Sequence, residues 1–118
     1  MILFDSEIRS GPEDERRVTL PAGIENKTAL LAFLRDALSL PDYFGDNWDA
    51  LEECLNDVDA MGPQKIVLIH GDIPLEKSPS DQRIYLQILA EAARHSTRFD
   101  VVFPERDRDK VVKSLSAS

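Results

Sequence analysis

The sequence has little cysteine and no long apolar stretch. Cys54 is the one cysteine among 118 residues, so an internal disulfide is excluded. Apolar runs are only a few residues long, far below the roughly 18 that a membrane-spanning helix needs. The N-terminus lacks both the basic region and the long apolar region of a signal peptide. We therefore expect a protein of the reducing intracellular environment, in the cytoplasm, without a membrane partner.

Motifs for catalysis and cofactor binding are also scarce. The chain has two histidines, no glycine-rich phosphate loop, and no set of His and Cys at metal-ligand spacing. We therefore expect no catalytic residue, no metal and no cofactor. His70 and Asp72 are the one pair that suits acid–base chemistry, and a small α/β enzyme using them is an alternative. The simpler interpretation places His70 at a strand end, His95 at a helix end and Cys54 on an apolar helix side.

One segment has no basic residue at all. The chain carries 22 Asp and Glu against 14 Lys and Arg, for a formal net charge of −8. Eight of these acids lie in residues 36–59 without any Lys or Arg, so the remaining acids and bases are equal in number. Nucleic acids and anionic membranes attract basic surfaces, whereas this segment is acidic. We expect a partner with a positive surface and no nucleic-acid partner.

The hydrophobic pattern predicts alternating strands and helices. Predicted strands cover residues 18–20, 65–70 and 99–103. The first predicted helix begins at Asn26 or Thr28 and ends at Pro41, and the second begins at Asp46 or Asn47 and ends at Gly62-Pro63. A third predicted helix covers residues 81–95, and a fourth occupies the tail from 107 to 115. This order indicates right-handed crossovers, and so an α/β fold with a small three-stranded parallel sheet packed with helices.

The domain organisation follows from the same pattern. We expect residues 18–118 to form a single domain. Residues 1–17 are expected to be an N-terminal extension, in which the apolar run Ile2-Leu3-Phe4 could add an edge strand. In the third helix the side chains predicted to face the core are Ile84, Tyr85, Ile88, Leu89 and Ala92, and in the terminal helix they are Val111, Val112 and Leu115.

The second predicted helix has an acidic side. At 100° per residue, one side carries Trp48, Leu51 and Leu55. The opposite side carries Asp46, Asp49, Glu52, Glu53, Asn56 and Asp57. A solvated surface with acids near the helix N-terminus explains the first acids, but it leaves the like-charged pair Asp49 and Glu53 at i, i+4 unexplained. The pattern therefore favours an electrostatic docking face, next to the aromatic pair Tyr43-Phe44, which suits a protein interface.

Residues 40–55, LPDYFGDNWDALEECL, resemble the barstar family of ribonuclease inhibitors, whose pattern runs roughly L-P-x-Y-[YF]-G-x-N-x-D-A-L-x-[DE]-C-L. The resemblance implies a parallel sheet carrying helices. It also implies an intracellular protein, of antitoxin or immunity type, that plugs the active site of a small basic ribonuclease. The acidic helix and the loop before it would fill that site.

The resemblance also implies roles for single residues. Glu53 matches the family's central acid, an Asp in the founding member, which enters the nuclease's phosphate-binding site, and Asp49 matches a second contacting acid. Asn47 matches the capping asparagine, while Glu52 and Val58 replace tryptophans. The full set expected at the partner-binding site is Tyr43, Phe44, Gly45, Asn47, Asp49, Glu52, Glu53, Asn56 and Glu91. An acidic module that binds a basic protein other than a ribonuclease is the alternative within the same class.

Overall fold

The computed structural model describes residues 2–5, 15–40, 47–57 and 65–116. Within these ranges the chain forms four strands and four α-helices. The strands are β1 (Ile2–Phe4), β2 (Arg16–Leu20), β3 (Ile66–His70) and β4 (Phe99–Phe103), and the helices are α1 (Lys27–Ala37), α2 (Trp48–Asn56), α3 (Pro79–His95) and α4 (Arg108–Ser116), the last preceded by a 3-10 turn at Glu105–Asp107. None of the helices in these ranges is both long enough and apolar enough to cross a membrane.

The strands form one parallel sheet in the order β1-β4-β3-β2. The register places Val18 beside Leu68, and Leu68 beside Val101, so one row of apolar side chains crosses the three longer strands. All three are buried. Parallel strands joined through helices are the arrangement that the alternating pattern predicts, and the predicted α/β class with a parallel sheet is confirmed.

The sheet has four strands where the sequence predicts three with a possible fourth. The N-terminal run Ile2-Leu3-Phe4 forms β1, which pairs with β4 from Ile2–Val101 to Phe4–Phe103. Phe4 is buried, and the Arg108 guanidinium lies 4.3 Å from the centre of its ring. Burial of this aromatic side chain anchors a strand of only three residues at the sheet edge.

Strand β2 begins at Arg16, two residues before its predicted start. Its backbone joins the ladder at once, because the Arg16 N–H donates to the Lys65 carbonyl at 2.7 Å. Arg17 and Thr19 are exposed, while Val18 and Leu20 are buried. The charged side chains lie outside the core at a sheet edge, where strands commonly carry charge.

Helices α1 and α2 begin with the same cap. The Asn26 side chain accepts from the Ala29 N–H at 2.8 Å, and the Asn47 side chain accepts from the Ala50 N–H at 3.0 Å. Each bond satisfies one of the free N–H groups of a first turn, which is worth about 1 kcal/mol. Of the two candidates predicted for each start, the asparagine is the cap.

Helix α1 ends at Ala37, before the predicted stop at Pro41. Ser39 adopts a left-handed backbone conformation with φ of 54°, which breaks the helical path. The Arg16 Nη2 donates to the Ala37 carbonyl at 2.6 Å, so a side chain from β2 satisfies the end of α1. The helix therefore ends at the left-handed turn of Ser39, and a long-range contact from Arg16 stabilises that end.

Helix α3 starts at Pro79, two residues before its predicted start, since proline is well tolerated in a first turn. Its buried arc runs from Ile88 through Leu89 to Leu86. Ile84 lies just outside that arc and is 38% exposed, so the prediction that it faces the core is wrong. Helix α4 shows the same error at Val112, which is 51% exposed although Val111 is buried. Packing against neighbours on two sides sets these arcs, and periodicity alone does not locate their edges.

Candidate functional site

Helix α2 is held in one orientation by its apolar side. Leu51 and Leu55 are fully buried in the core. The Trp48 Nε1 donates to the Asp81 carboxylate at 3.2 Å, and its ring centre lies 6.1 Å from that of Tyr85. Both contacts tie the first turn of α2 to α3. A helix fixed on this side presents its opposite side at a defined angle to solvent.

That opposite side is exposed and mostly carboxylate. We name it the acidic face, and its members are Asp49, Glu52, Glu53, Asn56 and Asp57. Four of the five, all except Asp57, line one shallow open depression of about 180 Å³. The arrangement that helical periodicity predicts for these residues is therefore present, with Glu53 lying between Asp49 and Asp57 along the helix.

The acids of this face form no ion pairs within the described part of the chain. No ion pair there includes Asp49, Glu52, Glu53 or Asp57. Several acids elsewhere are paired, as in the contacts of Glu76 with Lys110 at 3.3 Å and of Asp100 with Lys65 at 2.8 Å. Unpaired carboxylates in fixed positions are suited to guanidinium and ammonium groups, which form charge-assisted hydrogen bonds to them.

The pKa of the Cys54 thiol responds to the negative charge of the acidic face. Burial raises the pKa of its thiol, and the charges of Glu53 and Asp57 raise that pKa further. The thiol packs as a partly buried apolar group beside the core. A nucleophilic cysteine needs the reverse environment, with a pKa lowered by nearby cations.

Glu91, the expected acid on α3, is placed differently from the acids of α2. Its carboxylate forms ion pairs with Arg94 and with His95, the latter at 2.7 Å. Hydrogen bonds from these two side chains lower the pKa of Glu91. Glu91 lies outside the depression of the acidic face but lines a neighbouring groove together with Glu52. The structure thus brings Glu91 close to the acidic face with its charge already compensated.

Three of the expected contact residues, Tyr43, Phe44 and Gly45, lie outside the residues that the structure describes. The same holds for Asp46 and Val58. Asn47 is described, and its side chain is engaged in capping α2. It therefore positions the helix whose face carries the acids.

His70 is a buried structural group. Its Nδ1 lies 3.0 Å from the Val102 carbonyl and its Nε2 lies 2.7 Å from the Tyr85 hydroxyl, so one nitrogen donates and the other accepts. The ring stacks on Phe103 with centres 4.3 Å apart. Burial lowers the pKa of His70 to about 4. Both nitrogens have partners inside the core, which leaves none to work as a base with Asp72.

Asp72 has its own structural contact. Its Oδ2 accepts from the Gly23 N–H at 3.2 Å, which joins the loop after β3 to the loop after β2. Among the described residues, no group of three or more His, Cys, Asp or Glu side chains is arranged to hold a metal ion. The chemistry that the described surface offers is the binding of cations by fixed carboxylates.

Ile84 and Gln87 of α3 border the acidic face and were not predicted to belong to a site. Together with Glu52, Ile88 and Glu91 they line the second groove, of about 270 Å³, between α2 and α3. The sequence signal for Ile84 was misleading, because an isoleucine four residues before Ile88 fits an apolar stripe. Gln87 gave no signal, because a single polar residue on a helix is usually solvated.

Comparison with known families gives one match. A family model described as Barstar (barnase inhibitor) matches residues 17–110. No curated protein matches the chain. The matched range contains the whole acidic face and all of α3, and it excludes β1 and the last six residues of α4.

Proposed function

The chain belongs to the Barstar family, and on that premise we propose that it inhibits a small basic ribonuclease without being an enzyme itself. The acidic face of α2 enters the cationic active site of the nuclease and prevents RNA from binding there. Tyr43 and Phe44 contact the rim of the same site. The compartment we propose is the cytoplasm, as expected for a protein of antitoxin or immunity type.

The observation that carries the proposal is the set of unpaired acids on a rigid helix. A ribonuclease site that holds phosphate is built from Arg, Lys and His, and a carboxylate replaces phosphate as their partner. Because α2 is already fixed by its buried leucines and by the bond between Trp48 and Asp81, little conformational entropy is lost on binding.

Glu53 is the residue that we propose as the central anchor. It lies on the exposed side between Asp49 and Asp57, and it lines the depression with Asp49, Glu52 and Asn56. A nuclease cation that contacts Glu53 is therefore surrounded by further negative charge. Glu53 is one methylene longer than the Asp of the founding member, so the matching nuclease site needs a correspondingly deeper pocket.

The opposite fields of the two proteins also favour rapid association. The chain has a formal net charge of −8, and the exposed acids of α2 lie on the surface that docks. Complementary fields orient a basic partner before contact and raise the association rate at low salt. The same fields exclude other acidic proteins from this surface.

The experiment that tests the proposal is an inhibition assay with purified enzymes. Barnase and a panel of other small basic ribonucleases are assayed with wild-type protein, with Glu53→Gln and with Asp109→Asn. Asp109 is the matched control, since it is an exposed acid without an ion pair among the described residues and lies on α4, away from the acidic face. Both variants change the net charge by the same amount.

We expect Glu53→Gln to raise the inhibition constant for the matching nuclease by roughly 10- to 100-fold, through the loss of hydrogen bonds to a charged group. Asp109→Asn should stay within about twofold of wild type, because an exposed distant charge is largely screened. If the wild-type protein inhibits none of the ribonucleases but binds another basic protein through Glu53, the ribonuclease proposal is wrong and the alternative module is supported.

A further inference from the structure

The groove between α2 and α3 continues the acidic face. It is lined by Glu52, Ile84, Gln87, Ile88 and Glu91, and its volume is about 270 Å³. Glu52 also lines the depression of the acidic face, so the two concave surfaces share a wall. We name this second surface the interhelical groove. A partner that covers the acidic face therefore reaches the interhelical groove at Glu52.

Ile84 is the unusual member of the interhelical groove. Among the described residues, Ile84 and Val112 are the exposed large apolar side chains, at 38% and 51%. Neighbouring residues of α3, including Tyr85 and Ile88, are buried in the core, whereas Ile84 is not. Single exposed apolar residues are common on protein surfaces, and Ile84 is informative because it lines a concave surface together with the charged Glu52.

The acidic face itself offers no apolar side chain to a partner. All five of its members are acids or an amide. Stable interfaces usually derive most of their energy from apolar groups that lose water at the centre, surrounded by polar groups. Among the residues that the structure describes, Ile84 is the exposed large apolar group that shares a concave surface with the acidic face, because it and Glu52 line the same groove.

The two helices that line the interhelical groove differ in charge compensation. Glu52 on α2 forms no ion pair among the described residues, whereas the Glu91 carboxylate on α3 is engaged by Arg94 and His95. A partner that fits this difference carries cations opposite α2 and an apolar group opposite Ile84. It needs no cation opposite Glu91.

We propose that Ile84 is a specificity-determining contact for the ribonuclease, and this inference rests on the proposed function. The rim of the nuclease's cationic site places an apolar side chain in the interhelical groove, against Ile84. Acids on α2 then supply attraction to any basic nuclease, while Ile84 selects those with an apolar rim next to the cationic site. The selection follows because a polar rim would lose water there without a hydrogen-bond partner.

The test compares Ile84→Ala with Val112→Ala. Both remove an exposed β-branched side chain from a helix, and alanine favours the helix, so both variants are expected to fold. Val112 is the control because it is more exposed than Ile84 and does not line the interhelical groove. Dissociation constants are measured by calorimetry for barnase and for the ribonuclease of the panel that binds the wild-type protein most tightly.

We expect Ile84→Ala to raise the dissociation constant for the tightest ribonuclease about 3- to 10-fold, with its dependence on salt unchanged, because no charge is removed. Val112→Ala should bind as the wild-type protein does. If the wild-type protein binds and Glu53→Gln weakens binding while Ile84→Ala does not, the inference is overturned and the proposed function stands. If the wild-type protein binds no ribonuclease, both are overturned.

Discussion

Helices α2 and α3 pack against each other and both carry acids at the surface. Only α3 pairs such an acid with basic side chains of the same helix. Glu91 on α3 is followed at i+3 and i+4 by Arg94 and His95, and it pairs with both. Asp49 on α2 is followed at the same spacings by Glu52 and Glu53. Paired charges at these spacings stabilise a helix and like charges destabilise it, each by a few tenths of a kcal/mol.

The difference separates two uses of surface charge. The pairs on α3 satisfy each other and keep the helix stable. The acids on α2 slightly destabilise the free protein, and complementary charge on another molecule removes that penalty. A surface that is less stable alone than its neighbour is typical of a binding site, since function and local stability often conflict.

The largest effect is expected when α2 is made to resemble α3. Glu53→Lys creates an i, i+4 pair between Asp49 and Lys at position 53 and places a cation near the helix C-terminus. We expect the free energy of unfolding to rise by roughly 0.5 kcal/mol. Binding to the matching ribonuclease should weaken by at least about 100-fold, because like charges then face each other.

Chemical denaturation and calorimetry measure the two quantities on the same samples. Asp109→Lys is the matched control, as it makes the same charge change on α4. It should retain nearly wild-type affinity, apart from a modest decrease in association rate at low salt. An affinity for Glu53→Lys equal to that of Asp109→Lys would remove the distinction between the two helices.

A second prediction concerns His70, which lies in the core and not on the charged surface. The pKa of His70 is about 4 in the folded protein and about 6.5 when unfolded. Above pH 6.5 the group is neutral in both states. As pH falls from 6.5 to 4, the unfolded chain binds a proton that the folded protein excludes, so the free energy of unfolding decreases by about 3 kcal/mol in total.

Urea denaturation between pH 7 and 4 measures this decrease. His70→Gln keeps a donor for the Val102 carbonyl and an acceptor for the Tyr85 hydroxyl, and it does not titrate in this range. The decrease should therefore be about 3 kcal/mol smaller in the variant than in the wild type. Equal decreases in the two proteins would show that His70 is not held neutral in the core.

The smallest expected effect comes from making α3 resemble α2. Arg94→Gln removes one partner of Glu91 and leaves a less compensated carboxylate in the interhelical groove. We expect the association rate with the basic ribonuclease to rise about two- to threefold at low salt and to be unchanged at high salt. Stopped-flow fluorescence at both salt concentrations measures these rates.

Arg83→Gln is the control for this prediction, because Arg83 is also exposed on α3 and does not line the interhelical groove. It changes the net charge equally. If the two variants accelerate association to the same extent, overall charge rather than the position of Glu91 sets the rate.

Much of the fold was predictable because the signals were local. The apolar runs of β3 and β4 and the caps Asn26 and Asn47 act through the backbone or through nearest neighbours. The exposure of the acids on α2 followed from periodicity, since Leu51 and Leu55 fix the opposite side. These features depend little on the rest of the molecule.

The remaining features depend on contacts between distant residues. The end of α1 is set by Arg16 from β2, and the exposure of Ile84 is set by how α3 packs on two neighbours. The acidic face adjoins the interhelical groove because of how α2 and α3 are placed relative to each other. The hydrogen bond between Trp48 and Asp81 helps to fix that placement. The pairing of Glu91 with Arg94 and His95 is instead local and follows from their i, i+3 and i, i+4 spacing.

The most direct test of the central claim is the salt dependence of binding to the matching ribonuclease. Dissociation constants are measured for the wild type, Glu53→Gln and Asp109→Asn from low to high ionic strength. If the acids of α2 carry binding, the wild type and Asp109→Asn weaken steeply and in parallel as salt rises, while Glu53→Gln is weaker throughout and shows a shallower slope. Parallel lines for all three proteins, with equal affinity at each salt concentration, would contradict the account.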